Sequence, residues 1–341
     1  MEKAFITFGE IMLRLSPPNF KRLLQADVLE VNYGGSEANV AASLAMFGNR
    51  VRFVTKLPDN PLGDAACRYL KSLGVDTSFI KRGGKKIGIY FLEHGASVRP
   101  SKVVYDRANS AICEAKREDF DWEKIFKGAI WFHISGITPA LSDSLVEISI
   151  DAVKIAKERG LTVSCDLNYR KRLWSREKAR EVMGEIIKYT DLIIANEEDA
   201  ADVFGIEAEK TDVISGKLDV EHYKSVASQL LKVGSASMVA ITLRESLSAS
   251  DNYWSSLFYD GNEFILSKKY HLHLVDRVGG GDSFVAGLIH GLNKFSSKRE
   301  AVEFGVAASA LKQTIPGDVN LVYEDEVLNI MKGDVSGRVQ R

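Results

Sequence analysis

The run Val275-Asp276-Arg277-Val278-Gly279-Gly280-Gly281-Asp282-Ser283-Phe284 decides how this chain reads. Three consecutive glycines end in an aspartate, and the apolar helical segment Phe284-Val285-Ala286-Gly287-Leu288-Ile289 follows. Glycines can turn with positive φ and leave their backbone N–H groups uncovered. At a helix start those donors meet the positive end of the helix dipole, which suits a phosphate or another anion. A carboxylate does not bind phosphate, so Asp282 needs a different task beside such a site. Taking the proton from a hydroxyl that attacks the phosphate is one. A plain glycine turn capped by an aspartate fits this stretch equally well.

A second glycine cluster, Gly34-Gly35-Ser36-Glu37-Ala38-Asn39-Val40-Ala41-Ala42-Ser43-Leu44-Ala45, again precedes a helix, and its small residues allow close packing. Asn39 falls on the first turns, within reach of a bound hydroxyl. The two clusters, at opposite ends of the chain and in this order, resemble the paired signatures of the PfkB, or ribokinase-like, carbohydrate kinases. The resemblance covers nearly the whole chain. It implies an α/β fold with a mostly parallel central sheet, helices on both faces and a small β-sheet lid.

Size and composition agree. The chain has 341 residues, 45% hydrophobic and 27% charged, with a formal net charge of −1. That is an ordinary globular composition with length enough for a full core. Near-neutral charge gives no reason to expect nucleic acid or an anionic membrane as partner. The start, Met1 to Glu10, is not a signal peptide, and no apolar stretch approaches the roughly 20 residues of a membrane helix. Cys67, Cys113 and Cys165 are isolated and odd in number, which suggests neither a disulfide framework nor a zinc site. His271 and His273 alternate as strand residues do. A cytoplasmic enzyme is the expectation.

Apolar periodicity alternates between strand and helix along most of the chain. Strands are expected at 4–9, 51–57, 129–135, 161–166, 191–195 and 238–242. Helices are expected at 36–48, 62–73, 143–159, 176–189, 197–204, 220–233, 281–294, 300–313 and 324–332. This rhythm argues for a parallel sheet covered on both faces, whose ligands gather beyond the carboxyl ends of the strands. Residues 11–31 and 85–105 break the rhythm with short strands. By the resemblance they form the lid, and by pattern alone they could extend the main sheet's edge. A single domain over 1–332 with a loose tail at 333–341 is the expected organisation.

The chemistry implied by the resemblance is phosphoryl transfer from ATP, which needs positioning, charge neutralisation, Mg2+ and a base. There is no GxxxxGK[ST] run, so the phosphates are not held by a P-loop; Gly279, Gly280 and Gly281 take that role as an anion hole, and by the resemblance Asp282 matches the family's catalytic base. Asn196-Glu197-Glu198-Asp199 resembles the family's N-x-x-E motif, which helps hold Mg2+ through water. Asp199 is one methylene shorter than the usual Glu, and Glu197 could substitute for it. A helix start rich in acids for dipole reasons is the alternative. Thr242 and Arg244 border ATP by the same resemblance, with Ala307, Ala308 and Lys312 on the adenine side. A monovalent cation is possible.

Basic residues bear on the substrate. Arg170 follows the 161–166 strand, and Arg107 follows a lid strand. Tyr90 and Tyr105 lie on adjacent lid segments. A neutral sugar needs mainly Asp, Asn and backbone partners, whereas a carboxylate suits arginine, which binds it bidentately. The pattern resembles the 2-keto-3-deoxygluconate kinases, in which residues matching Gly34, Tyr90, Tyr105, Arg107 and Arg170 contact the substrate; Gly35 and Asn39 complete the set. Surface or phosphate contacts by the two arginines, as in some fructokinases, are the alternative. Arg277 stands where the wider family has a small or hydroxyl residue, and Gly280 where alanine is frequent. A homo-oligomer, with pairing of exposed lid strands into a dimer, is the expected assembly.

Overall fold

The computed structural model describes residues 3–206 and 220–333. The expected loose tail therefore lies, from residue 334 on, outside the described residues, as does the side chain of Glu197. In chain order the strands are β1 (Ala4–Phe8), β2 (Met12–Ser16), β3 (Glu30–Gly34), β4 (Arg50–Leu57), β5 (Ile80–Arg82), β6 (Gly88–Glu93), β7 (Lys102–Asp106), β8 (Ala129–Ser135), β9 (Thr162–Asp166), β10 (Leu192–Asn196), β11 (Met238–Ser246), β12 (Asp251–Tyr259), β13 (Phe264–Leu266) and β14 (Tyr270–His273). The helices are α1 (Ser36–Met46), α2 (Pro61–Ser72), α3 (Trp122–Ile125), α4 (Asp143–Glu158), α5 (Arg176–Ile187), α6 (Glu197–Phe204), α7 (Val220–Val233), α8 (Gly280–Lys294), α9 (Lys298–Lys312) and α10 (Glu324–Met331).

Ten strands make the main sheet, in the order β13-β12-β11-β10-β9-β8-β1-β4-β5, with β14 also on β12. From β11 through β5 every pairing is parallel. Strand β1 shows how alternation builds two cores: Phe5 packs into one, Ala4, Ile6 and Phe8 into the other. The first core lies under α1, α2, α8, α9 and α10, the second under α4, α5, α6 and α7. Helices α8 and α9 approach so closely that a Cβ on Gly287 would lie 2.8 Å from the Cα of Gly305.

Two features depart from the expected pattern. The antiparallel extension β12–β14 adds three strands that the 238–242 reading stopped short of. Strand β11 itself runs to Ser246, so Arg244 sits on it, beyond the expected end at Thr242. Second, the short strands within 11–34 and 88–106 form a separate sheet, β3-β2-β6-β7, and do not extend the main sheet's edge. Its β2–β6 pairing is parallel and the other two are antiparallel.

Candidate active site

One cavity of about 500 Å³ lies where the carboxyl ends of the parallel strands meet the smaller sheet and the start of α8. Such an end of an open α/β sheet is where ligands bind. Asp166 and Asn196 are the last residues of β9 and β10, and both line the cavity.

The glycine run forms the floor. Gly279 takes φ of +77° as the N-cap of α8, and no side chain caps that helix. An added Cβ there would meet the Asp318 carbonyl oxygen at 1.8 Å, so only glycine fits. No side chain competes for the first-turn donors: the Gly280 N–H bonds the Arg277 carbonyl at 3.2 Å and the Ser283 N–H that of Gly279 at 2.9 Å, which leaves the Gly281 and Asp282 N–H groups to serve an anion. Asp282 sits in that first turn. Its carboxylate accepts from Ser36 Oγ (2.9 Å) and Asn39 Nδ2 (2.7 Å) on α1. The two glycine clusters therefore meet at this carboxylate. Burial pushes its pKa up, against the pull of those two donors.

Asp166 and Asp199 complete an acidic group. Burial raises Asp166 well above the usual carboxylate range, and the charges of Asp199 and Asp282 add to this while Arg170 opposes it. Asp199 is also raised by burial, against backbone donors at Asn196 and Tyr169. Asn196 Oδ1 accepts from the N–H groups of Glu198 (2.8 Å) and Asp199 (3.0 Å), and Asp199 returns a bond to the Asn196 N–H at 3.2 Å. That is a capping box, so the helix-start alternative describes these two residues correctly. Among the described residues no three acidic, His or Cys groups converge as direct metal ligands. Carboxylates with spare lone pairs around a shared space nevertheless fit Mg2+ held through water, the mode this ion prefers.

Of the substrate-side residues, Gly35, Asn39, Tyr90, Tyr105, Arg107 and Arg170 line the cavity. Gly34 stands behind the wall, where a Cβ would meet Asp318 Oδ1 at 2.2 Å. Arg107 is buried and not free: its Nε donates to Glu10 Oε2 at 2.9 Å, and its Nη2 bonds the same oxygen. Arg170 is exposed and faces the acidic group. Ala308 is off the wall altogether. It is fully buried and packs on Gly287, because its small size serves the α8–α9 contact. Lys312 and Ala307 are likewise fully buried.

The sequence reading missed Glu10, Ser36, Asn168 and Asp318, all on the cavity wall. Glu10 stands just beyond β1, a position that could have marked it. Asp318 lies in a loop near the chain's end, and Tyr90 Oη donates to it from across the smaller sheet. No local pattern announces that contact.

The described residues contain no helix long and apolar enough to cross a membrane, and all three cysteines are free. A profile of the pfkB family carbohydrate kinases matches residues 3–323. A 2-dehydro-3-deoxygalactonokinase of Haloferax volcanii is 32% identical over 337 residues, spanning 99% of both chains. A 2-dehydro-3-deoxygluconokinase of Bacillus subtilis is 28% identical, over 92% of this chain and 91% of its own. The crystal structure of a 2-dehydro-3-deoxygluconokinase from Thermotoga maritima superposes with a TM-score of 0.93 at 53% identity, covering 98% of this chain and 99% of that one.

Proposed function

Because the chain belongs to the pfkB family of carbohydrate kinases, we propose that it phosphorylates 2-keto-3-deoxygluconate (2-dehydro-3-deoxygluconate) with ATP, at the terminal hydroxyl, giving the 6-phospho product. The carrying observation is that a buried carboxylate, an uncapped glycine helix start and, on the substrate side, Arg107 and Arg170 share one cavity. Asp282 accepts the hydroxyl proton as that oxygen bonds to the γ-phosphorus and the β,γ-bridging oxygen leaves with ADP. Within the run Gly279, Gly280 and Gly281, the N–H groups of Gly279 and Gly281 stabilise the transferring phosphoryl group, as fixed donors do best, while the Gly280 N–H holds the loop through the Arg277 carbonyl. Thr242, Arg244 and Asn196 border the nucleotide. Asn196 and Asp199 would hold Mg2+ through water, and the ion would supply neutralisation of phosphate charge.

On the sugar side Arg170 holds the carboxylate, with Tyr90, Tyr105, Asn39 and the free Nη1 edge of Arg107 around the hydroxyls. The three relatives named as acid-sugar kinases support this class. The H. volcanii relative gives its C4 epimer, 2-keto-3-deoxygalactonate, a claim as a second substrate. The smaller sheet works as a lid, which substrate-dependent protection of its amides from hydrogen exchange would test. Val31 and Val104 on its strands and Leu24 and Val28 in the β2–β3 connection are exposed, which supports pairing of two copies there, and light scattering would read the mass. Three free cysteines suit a cytoplasmic setting.

The test is a coupled ADP-release assay across both acid sugars, fructose and ribose, with Arg170→Ala beside the unmodified enzyme. The acid sugar should be preferred, and the variant should raise its KM by roughly tenfold to a hundredfold, the worth of one charge-assisted partner. A higher kcat/KM for fructose would overturn the substrate assignment.

A further inference from the structure

Lys312 is the last residue of α9 and is completely buried, yet it does not line the cavity. Its Nζ donates to the carbonyl oxygen of Asp276 at 3.1 Å and to that of Ile315 at 3.2 Å. The two carbonyls belong to different segments. Asp276 opens the approach to the glycine run, and Ile315 opens the turn that leads to Asp318. The Asp276 carboxylate ties the same segments: Oδ1 accepts from the Val278 N–H at 3.1 Å and Oδ2 from the Gly317 N–H at 3.0 Å. Arg14 of β2 closes the cluster, donating to Asp276 at 2.7 Å and to Asp318 at 2.8 Å. Gly279 rests directly on the Asp318 carbonyl. The position of the anion hole therefore depends on how these two segments are held together.

A buried ammonium is costly unless its charge is met. Here backbone carbonyls from two loops converge on it, with the charges of Asp276 and Asp318 near. Carbonyl oxygens converging on one point, beside carboxylates, form the kind of oxygen cage that takes a bare alkali cation. The geometry points to Lys312 as a tethered monovalent cation, which locks the 275–281 segment onto the 313–318 turn and makes a dissociable K+ unnecessary for phosphoryl transfer. Lys312 is thus a positioning residue: it touches neither sugar nor nucleotide, and acts through the backbone that carries the anion hole. Burial draws its pKa down to about 8, with Asp276 and Asp318 opposing, so the charge persists at neutral pH.

The inference rests on the kinase reading, and the unmodified enzyme separates the two. It should turn over the acid sugar with ATP and Mg2+ at the same rate in tetramethylammonium, Na+, K+ or NH4+ chloride at fixed ionic strength. No turnover on any sugar would sink the kinase reading. Turnover raised severalfold by K+ would overturn the tethered-cation role while leaving the kinase intact. Lys312→Ala should lower kcat by roughly tenfold to a hundredfold in tetramethylammonium, as lost charge-assisted bonds predict. Ammonium or methylammonium should restore it saturably, with little change in sugar KM. Unchanged kcat, or a loss that neither cation restores, would overturn the role. Lys312→Met keeps the stem's volume should the alanine variant not fold. MgADP affinity by calorimetry should follow the same rescue pattern without any need for turnover, and affinity that ignores ammonium would count against the role.

Discussion

Asp282→Asn separates catalysis from architecture at this site. The carboxylate receives one hydrogen bond from Asn39 Nδ2 and one from Ser36 Oγ. An amide of the same shape keeps both contacts, since its oxygen accepts from Asn39 and its nitrogen donates to the hydroxyl of Ser36, which rotates to accept. Burial already disfavours the ionised carboxyl, so removing the charge does not weaken the fold. What disappears is the proton acceptor. General-base catalysis contributes roughly 10²–10⁴ in rate, or about 3–5 kcal/mol at the barrier. The expected variant melts no lower than the parent, binds sugar with a similar KM and loses kcat by that factor. A coupled ADP-release assay gives the kinetics, and a thermal melt reports the fold. A variant that keeps more than about a tenth of the parent kcat would falsify the assignment of Asp282 as base. A large fall in melting temperature would refute the argument from shape and burial.

Three other substitutions probe the surrounding structure. Arg107→Ala strands the buried Glu10 carboxylate and should cost about 3–5 kcal/mol in denaturant unfolding, whereas a loss confined to sugar affinity would mean the ion pair is dispensable. Gly279→Ala places a Cβ 1.8 Å from the Asp318 carbonyl and demands positive φ from a side-chain residue. It should lower both kcat/KM for ATP and the melting temperature, and a fully active, stable variant would show the loop to be adaptable. Glu37 is fully buried, and burial raises its carboxyl from 4.5 to about 7. The folded state then holds a proton that the unfolded chain has released, so its share of stability falls as pH rises from 4.5 to 7. Glu37→Gln should remove on the order of 3 kcal/mol of that dependence, and urea titrations with equal pH slopes for the two proteins would contradict it.

The main α/β rhythm was legible because its signals are local. Gly74 and Gly160, both at positive φ, end α2 and α4 where the helical period stops. The all-apolar β1 and the glycine start of α8 likewise carry their structure in their own composition. The β12–β13 hairpin also carries a local signal, an aromatic run closed by Asp260 and by Gly261 at positive φ, although it falls outside the strand–helix alternation.

Polar partnerships were of a different kind. Arg107 reads from sequence as a free cation, and only the folded chain shows Glu10, 97 residues away, already bonded to it. Arg170, similar on paper, keeps its charge exposed. Ala308 and Lys312 look like wall residues of a helix near a site, but the close α8–α9 packing buries Ala308 and the carbonyls of Asp276 and Ile315 draw Lys312 inward.

By itself, the sequence determined the alternation of strands and helices in the parallel part of the sheet, the glycine helix start that makes an anion site, and a carboxylate placed beside it. These follow from backbone freedom and apolar periodicity, which act within a few residues. The tertiary structure alone decided which charges are paired, which are buried and which face the cavity. Those outcomes depend on distances between segments as remote as Arg14 and Asp318, and no local propensity sets such distances.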